Sequence, residues 1–365
     1  MLAVPLTLSR YFARRFAVSA IGVFAGVFVL VALIDYIEMM RRVSDIPGVS
    51  AWVVAQASFF RVPQVTERIL PFSILVGAMT CYLDLSRRLE LVVARAAGIS
   101  AWQFVAPAVV TAFLIGIIGT ALYNPLSAAM REQSKRLEAE IFGESRTGLT
   151  TAGGGFWVRQ RSVDGHSIMN ATSSREQGVD LGGVTVFTFD NEGRFQERIA
   201  ANRARLHSGY WLLEQARVNS AGEPPREDGT YQLPTNLTPE QVRESFATPE
   251  TVSFWQLPLY ITMAEQAGLG AGGYRFQYQI LLARPFLLGA MVLLAAAVSL
   301  RFFRFGGVQK MVLSGVGAGF LLYVLSKVTE DLSKAELMHP VAAAWLPVLV
   351  GALTGFVVLL YQEDG

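Results

Sequence analysis

The chain has 365 residues, of which 52% are hydrophobic and 16% charged, and its mean hydropathy is +0.38. This composition excludes an ordinary soluble protein and indicates a membrane protein. A formal net charge of +2 without a basic tail excludes nucleic acid as a partner. The single cysteine, Cys81, excludes an intrachain disulfide, and three widely separated histidines give no ligand spacing for a metal ion.

Three apolar segments in the first third of the chain are predicted to span a membrane. The first, residues 16–34, has three arginines before it and no small-residue cleavage site after it, so we interpret it as a transmembrane helix and not as a signal peptide. The second must begin before Phe59 to be long enough, and it then contains the charged residues Arg61, Glu67 and Arg68. The third covers residues 102–123 and carries no charge.

A short amphipathic helix is predicted over residues 84–97, between the second and third spans. Its apolar residues recur at helical spacing, its charges fall largely off that stripe, and Gly98 ends it. The residues leave two interpretations open. The helix either inserts into a groove of a partner protein, with Glu90 presented to it, or lies on lipid headgroups.

Residues 124–274 form a predicted soluble domain, because charges, glycines and prolines are frequent and no run is long enough to span a membrane. A helix is predicted over residues 127–142 as a continuation of the third span, and another over residues 258–266. Short segments between turn signals are typical of strands, namely 156–158, 184–189 and 210–213. A region of this length with such strands predicts a β-sandwich or jelly roll.

Three further spans are predicted at residues 279–300, 311–327 and 341–360, which makes six in all. Lysine and arginine concentrate in the loops on one side, and the positive-inside rule places that side in the cytoplasm, although Arg41 and Arg42 lie opposite. The predicted fold is an α-helical membrane protein with six transmembrane helices, both termini cytoplasmic, and an inserted periplasmic all-β jelly-roll domain. The predicted boundaries are 1–123, 124–274 and 275–365.

The sequence contains no G-x-S-x-G, H-E-x-x-H or P-loop motif. We therefore expect that the chain is not an enzyme and that any ATP is hydrolysed by a separate subunit. An intramembrane enzyme acting on lipids, with Asp35 or Glu67 as acid or base, is a weaker alternative because neither residue has a paired nucleophile.

Charged residues concentrate at the outer boundary of the first span, where Asp35, Glu38 and Arg42 share one helical face. The simpler interpretation is an intrahelical Glu38–Arg42 pair at the water interface. The alternative is a basic rim around a cavity that binds an amphiphile with phosphate groups. That rim would comprise Arg41, Arg42, Arg61, Arg68, Arg131, Lys135, Arg136 and Lys327.

Three small-xxx-small pairs predict close helix contacts, either within the chain or between two six-helix subunits. They are Gly22 with Gly26, Gly315 with Gly319, and Gly351 with Gly355.

Four segments resemble the LptF/LptG permease family of the lipopolysaccharide-export ABC transporter, and the resemblance covers nearly the whole chain. They are Arg88-Leu-Glu-Leu-Val-Val93 with Gly98 downstream, Leu181-Gly-Gly-Val184, Thr235-Asn-Leu-Thr-Pro239 and Tyr323-Val-Leu325. The first and third are the most telling, and the Glu-Leu-Val-Val form is most similar to the LptG branch of the family.

The resemblance implies a permease subunit in the bacterial inner membrane that extracts lipopolysaccharide from the outer leaflet and passes it to a periplasmic bridge for outer-membrane assembly. It implies a heterodimer with an LptF-like permease, whose first and fifth helices form lateral gates with those of this chain. It further implies two copies of an LptB-like ATPase, which hold the ATP and Mg, and LptC-like and LptA-like periplasmic proteins. This chain itself is expected to need no cofactor.

The resemblance also implies roles for individual residues. The coupling helix would be seated in the ATPase groove through Arg88, Glu90, Leu91, Val92 and Gly98. Lipopolysaccharide would be bound by Arg41, Arg42, Arg68, Arg131, Lys135, Arg136 and Lys327, and a lipid slot in the β domain would be formed by Phe156, Trp157, Val186, Phe187 and Phe189. Two positions depart from the family, because Asp35 and Gln64 stand where basic residues are expected.

An alternative from another class is a membrane-anchored envelope scaffold or sensor whose periplasmic β domain binds a ligand without transport. Such a protein would tolerate changes in its first and fifth helices, whereas a permease would not.

Overall fold

The structure is a computed structural model that describes residues 6–44, 49–142, 156–162, 165–175, 178–190, 192, 194–220, 224–235, 249–266, 271–303 and 307–364. Within these ranges six helices are long and apolar enough to cross a membrane, which confirms the predicted number of spans. An antiparallel sheet lies between the third and fourth of them, as predicted for an inserted β domain.

The helices in chain order are α1 (Leu6–Val43), α2 (Ala51–Arg87), α3 (Glu90–Ala96), α4 (Ala101–Ile118), α5 (Asn124–Phe142), α6 (Leu257–Gln266), α7 (Gly272–Phe303), α8 (Val308–Lys334) and α9 (Pro340–Asp364). A π-helical turn, Gly119–Tyr123, joins α4 to α5, so the third span continues without a break into the helix predicted after it. The six spans are α1, α2, α4 with α5, α7, α8 and α9.

Local sequence explains where several of these helices begin. Ser50 precedes α2, and its hydroxyl accepts a hydrogen bond from the Trp52 amide at 3.3 Å. Before α4 the Gln103 side chain accepts from the Ser100 amide at 3.0 Å. The observed spans extend beyond the predicted apolar runs because their polar ends remain helical; α8, for instance, continues to Lys334.

The chain divides into two compact units. The membrane unit comprises residues 1–134, 253–255 and 272–365, and the β unit comprises residues 135–252 and 256–271. The division falls inside α5, about ten residues beyond the predicted boundary, because the first turns of that helix still pack with the membrane helices.

Close helix packing in the membrane unit depends on glycines that the small-residue pattern did not single out. A Cβ on Gly77 of α2 would lie 2.6 Å from the Ala20 Cα of α1, and one on Gly116 of α4 would lie 2.4 Å from the Pro285 Cα of α7. Neither position can carry a side chain without separating the two helices. These two contacts fix α1 on α2 and α4 on α7.

The predicted glycine pairs have two different environments. Four of these glycines pack against side chains of this chain: Gly315 on Met79, Gly319 on Leu75, Gly351 on Leu322 and Gly355 on Leu293. Gly22 and Gly26 of α1 have open space where a Cβ would stand. Two of the three pairs are therefore contacts within the chain.

The β unit is built on one six-stranded antiparallel sheet in which each strand pairs with its neighbour in sequence. The strands are β1 (Phe156–Ser162), β2 (Gly165–Arg175), β3 (Asp180–Phe189), β4 (Phe195–His207), β5 (Tyr210–Ser220) and β6 (Arg226–Pro234). The order among the described strands is thus a meander, whereas a standard jelly roll has crossed connections. Short turns between successive strands explain this order.

The side chains on one face of the sheet form a hydrophobic core around Trp211, which is fully buried. In β3, β4 and β5 the buried residues alternate except at one row, where their spacing becomes three: Leu181 and Val184 in β3, Ala201 and Ala204 in β4, Leu213 and Ala216 in β5. The pairs of this row are missing from the strand ladders, although the register on either side is unchanged. Because the register is the same on both sides of the row, the row is an interruption of the pairing shared by neighbouring strands and not a bulge, and it keeps the apolar side chains of these strands on one face.

We call this row the crease, and it runs through Thr172, Gly183, Asn202, Gln215 and Gly229. Two of its residues have left-handed backbones, Gly183 with φ +63° and Gln215 with φ +55°. A Cβ on Gly183 would lie 2.7 Å from Thr172 Oγ1. The crease therefore explains why the strand that contains Leu181-Gly-Gly-Val184 needs a glycine at position 183.

A Gln215→Gly variant is expected to be as stable as the parent or more stable by up to about 1 kcal/mol, although glycine normally weakens a strand. The reason is that Gln215 already has a left-handed backbone, which glycine adopts without strain. Thermal unfolding measures the effect, with Glu214→Gly in the same strand as the control, which should lower the melting temperature. A loss of stability in Gln215→Gly equal to that in the control would contradict this account of the crease.

Candidate functional site

The predicted coupling helix is divided in the structure. Residues 84–87 are the last turn of α2, and α3 begins only at Glu90. The break falls at Leu89, whose φ of 59° is left-handed and cannot continue a helix. At the other end Gly98 has φ +81°, and the Ile99 amide donates to the Ala94 carbonyl at 3.1 Å, so the predicted glycine termination is confirmed.

The two faces of α3 differ in exposure. Leu89, Val92 and Val93 are exposed, and Val93 retains 66% of its accessible surface. Leu91 is 3% exposed and belongs to the core of the membrane unit, and Ala94 is buried as well. Leu89, Val92 and Val93 therefore form an exposed apolar surface on this segment, whereas Leu91 is buried within the chain.

Glu90 belongs to a polar network that joins three helices. Its Oε2 accepts a hydrogen bond from the Tyr11 hydroxyl of α1 at 2.8 Å, and the Arg15 Nε donates to the same hydroxyl at 3.0 Å. Arg15 also lies 3.6 Å from a carboxylate oxygen of Asp84 in α2, which in turn accepts from Arg88 at 3.1 Å. These contacts link α3 and the end of α2 to the first turns of α1.

Tyr11 was not identified from the sequence. It lies 79 positions from Glu90, and nothing in the pattern of either helix indicates that they meet. The only local signal is the spacing of Tyr11 and Arg15, which puts them on one helical face.

At the other end of α1 the predicted intrahelical pair is confirmed. The Glu38 carboxylate accepts hydrogen bonds from Arg41 at 2.9 Å and from Arg42 at 3.0 Å. Both guanidinium groups are exposed, so such pairs contribute little to stability. Arg41 and Arg42 can accordingly exchange Glu38 for another anion at small cost.

Asp35 is buried and has partners on α2. Its Oδ1 accepts a hydrogen bond from the Arg61 Nε at 2.8 Å, and its Oδ2 accepts from the Ser58 hydroxyl at 2.7 Å. Arg61 was a candidate for the basic rim, but its guanidinium is engaged by a buried carboxylate of its own chain. The buried Asp35 carboxylate is therefore matched by an arginine one helix away.

The remaining cationic candidates are spread over several helices. Arg68 of α2 is exposed, Arg131 of α5 is half-buried near Ser134, and Lys327 of α8 pairs with Glu330 and Asp331 at 3.3 and 3.2 Å. Lys135 and Arg136 follow Arg131 on α5 but belong to the β unit. Arg41 and Arg42, by contrast, converge on one group, the Glu38 carboxylate.

The predicted lipid-slot residues do not share one environment. Val186 is fully buried in the core of the β unit, whereas Phe187 and Phe189, at odd positions of β3, lie on the opposite face and are half-buried. Phe187 lies under the Arg198 guanidinium, and Phe189 contacts Phe195 edge-on. Phe156 and Trp157 pair through their backbones with Ala171 and Asn170 in β2, and their side chains lie outside the described part of the chain.

A groove of about 740 Å³ opens along the crease of the sheet. Its lining is mixed, with Val184 and Ala201 beside the polar side chains of Thr185, Asn202 and Arg217. None of Val186, Phe187 and Phe189 lines it. The groove therefore lies beside β3 but is lined by other residues than those predicted for the lipid slot.

The spans differ strongly in how much of their surface is covered within the chain. In its most apolar stretch α1 has 6% of its residues buried and α8 has 22%, against 72% for α7. The apolar side chains left uncovered on α1 and α8 include Val18, Ile21, Val29, Leu313, Phe320 and Leu321. The first and fifth spans thus present the most lipid- or partner-accessible surface.

Comparison with known proteins gives consistent matches over nearly the whole chain. Residues 10–361 match the family described as lipopolysaccharide export system permease LptF/LptG. The chain is 24% identical over 336 residues to the lipopolysaccharide export system permease protein LptG of Escherichia coli strain K12, covering 88% of this chain and 89% of that protein. It is 24% identical over 374 residues to the LptG protein of Haemophilus influenzae, covering 97% of each.

Proposed function

Because the chain belongs to the LptF/LptG family of lipopolysaccharide export permeases, we propose that it extracts lipopolysaccharide from the outer leaflet of the bacterial inner membrane and delivers it to a periplasmic bridge. In this role it forms a heterodimer with an LptF-like permease and hands the lipid to LptC-like and LptA-like proteins. It is a multi-pass inner-membrane protein. We place both termini in the cytoplasm and the β unit in the periplasm, in line with the distribution of lysine and arginine.

Coupling to ATP hydrolysis is proposed to pass through α3. ATP and Mg would be held by two copies of an LptB-like ATPase, and this chain needs no cofactor of its own. The exposed residues Leu89, Val92 and Val93 provide an apolar surface for a groove on that ATPase, and Glu90 supplies a carboxylate beside it. This exposed face on a seven-residue helix is the observation that carries the proposal.

The polar network around Glu90 would transmit the movement of the ATPases to the membrane helices. When the ATPases approach one another, α3 moves as a rigid body. The contacts of Glu90 with Tyr11 and of Asp84 with Arg15 carry that displacement to α1. Because α1 is the least covered span but is fixed on α2 through Ala20 and Gly77, the two helices would shift together against a partner helix.

Arg41 and Arg42 are the preferred candidates for binding lipopolysaccharide at the outer boundary of α1. Their exposed guanidinium groups can form charge-assisted hydrogen bonds with phosphate oxygens in place of Glu38. Arg68, Arg131, Lys135, Arg136 and Lys327 remain candidates at the same stage. The lipid would then enter the β unit.

The alternatives have weaker support. An intramembrane enzyme would need Asp35 or Glu67 free for proton transfer, but each is bound by an arginine, Arg61 and Arg284 respectively. A scaffold or sensor would bind a ligand in the groove of the β unit without transport, and it has no need for an exposed apolar face on α3.

Reconstitution tests the proposal. The chain is assembled in proteoliposomes with its LptF-like and ATPase partners and loaded with lipopolysaccharide, and transfer to a soluble LptA-like acceptor is followed. We expect transfer that requires ATP. Binding of lipopolysaccharide with equal transfer in the presence and absence of ATP would favour the scaffold and contradict the permease.

A further inference from the structure

A buried ion pair lies in the middle of α2 and has no part in the coupling route through α3 and α1. Glu67 of α2 and Arg284 of α7 are 5% and 8% exposed, and the Arg284 guanidinium contacts Glu67 Oε1 directly. The same oxygen accepts a hydrogen bond from the Asn124 side-chain amide at 2.9 Å, and Oε2 accepts from the Ser127 hydroxyl at 2.8 Å. We call these four residues the Glu67 cluster. Charges within a membrane span are costly unless paired, and here each carboxylate oxygen has a partner.

Two prolines flank Glu67 at equal distance. Pro63 and Pro71 both lie inside α2, four residues before and four residues after Glu67. A proline has no N–H, so the carbonyls of Phe59 and of Glu67 itself lose their helical partners. The turns on either side of Glu67 are therefore the weak points of a 37-residue helix, and bending is expected there.

The cluster also holds the two chain segments that lead into and out of the β unit. Asn124 is the first residue of α5, and its Oδ1 accepts a hydrogen bond from the Phe254 amide at 2.8 Å. The Trp255 indole donates to the Ala121 carbonyl at 3.1 Å, within the π-helical turn that precedes α5. Phe254 in addition stacks on Tyr278 of α7, with ring centres 5.4 Å apart.

We propose that Glu67 is a positioning residue that fixes the middle turn of α2 as a fulcrum. The arm of α2 that leads to α3, residues 72–87, bends about this point, while the outgoing α5 and the returning Phe254–Trp255 stay tied to it. A displacement of α3 then bends α2, while the segments that connect to the β unit, α5 and Phe254–Trp255, keep their positions. The transport consequence rests on the proposed function, whereas the bend is a property of this chain alone.

The bend is measured by electron-resonance distances within α2. With the lone cysteine replaced, Cys81→Ala, nitroxide labels are placed at the exposed positions Phe59 and Thr80, about 32 Å apart along a straight helix. The full chain is studied in lipid nanodiscs without ATPase or lipopolysaccharide. We expect one narrow distance distribution in this labelled parent and a roughly twofold broader one in Glu67→Gln, since a neutral amide cannot replace the ion pair. A folded Glu67→Gln chain with the parent's distribution would overturn the proposal.

Two further variants separate positioning from simple destabilisation. Glu336→Gln removes an exposed carboxylate beyond α8 and should leave the distribution narrow. The double variant Glu67→Gln/Arg284→Gln leaves no unpaired buried charge, so it should melt closer to the parent than Glu67→Gln does and yet remain broad. A narrow distribution in the double variant would also overturn the proposal, even if the single variant does not fold.

Transport then shows whether the fulcrum matters for export. In the reconstituted complex, the double variant should keep ATP hydrolysis near the parent level while transfer of lipopolysaccharide falls about tenfold. Full transfer with a broadened α2 would overturn the transport consequence of the fulcrum. A parent complex without ATP-dependent transfer would instead contradict the proposed function and leave the distance result standing.

Discussion

A Glu90→Ala variant is expected to assemble with its partner permease but to transfer about ten- to hundredfold less lipopolysaccharide per ATP hydrolysed. Glu90 accepts a hydrogen bond from the Tyr11 hydroxyl at 2.8 Å and lies beside the exposed apolar face of α3. Loss of its carboxylate therefore affects both the hydrogen bond to α1 and the proposed contact with the ATPase. A hydrogen bond to a charged group contributes about 1.5–3 kcal/mol, which corresponds to that range of rates. The ratio of lipid transferred to phosphate released measures it.

Two matched variants assign the effect to one contact or the other. Tyr11→Phe removes only the internal hydrogen bond, and it should reduce coupling by less than Glu90→Ala because the carboxylate remains available to a partner. Glu90→Gln keeps a side chain of the same shape without the charge and should lie between them. If Glu90→Ala transferred as much lipid per phosphate released as the parent, α3 would not be the site at which force is transmitted.

An Arg61→Ala variant is expected to lose about 3–5 kcal/mol of stability, because it leaves Asp35 buried without its countercharge. The Asp35 side chain is 8% exposed, and the hydrogen bond from the Ser58 hydroxyl cannot replace the lost charge. Thermal unfolding in detergent measures the loss, and α1 should separate from α2 first because the pair joins these two helices.

The double variant Asp35→Ala/Arg61→Ala provides the control for that prediction. Removal of both charges should recover part of the stability, because no buried carboxylate is then left without a countercharge. If Arg61→Ala and the double variant were equally unstable, the cost would come from lost packing of the arginine stem and not from the stranded carboxylate. Lipopolysaccharide binding should change little in the double variant, since Arg61 is already neutralised in the parent.

The sequence predicted the membrane architecture well because an apolar run of about twenty residues matches the thickness of a bilayer and is too long for most buried helices of soluble proteins. The end of α3 at Gly98 and the pair between Glu38 and Arg42 are local features, and both were predicted from spacing alone. Hydrophobic periodicity could not show that Leu89 would adopt a left-handed backbone, so the predicted helix over residues 84–97 was too long. For the same reason the sequence could not show that Leu91, predicted as a docking residue, is buried within the chain.

Sequence patterns could not predict the contacts between distant parts of the chain. The partners of Glu67 come from residues 57 to 217 positions away, and no spacing rule connects them. The crease in the sheet is only partly visible in the sequence, because Leu181-Gly-Gly-Val184 interrupts the alternation of β3, whereas the left-handed backbone at Gln215 has no such marker. The segment Thr235-Asn-Leu-Thr-Pro239 lies mostly outside the described residues.

Site-specific photocrosslinking tests the central claim, that α3 docks on a cytoplasmic ATPase, most directly. A photoreactive amino acid at Val93, on the exposed face of α3, is compared in living cells with one at Val110, which is exposed on the apolar span α4. We expect the probe at position 93 to capture the LptB-like ATPase and the probe at position 110 not to capture it. Capture of lipid or a periplasmic protein at position 93, with no ATPase adduct, would contradict the account.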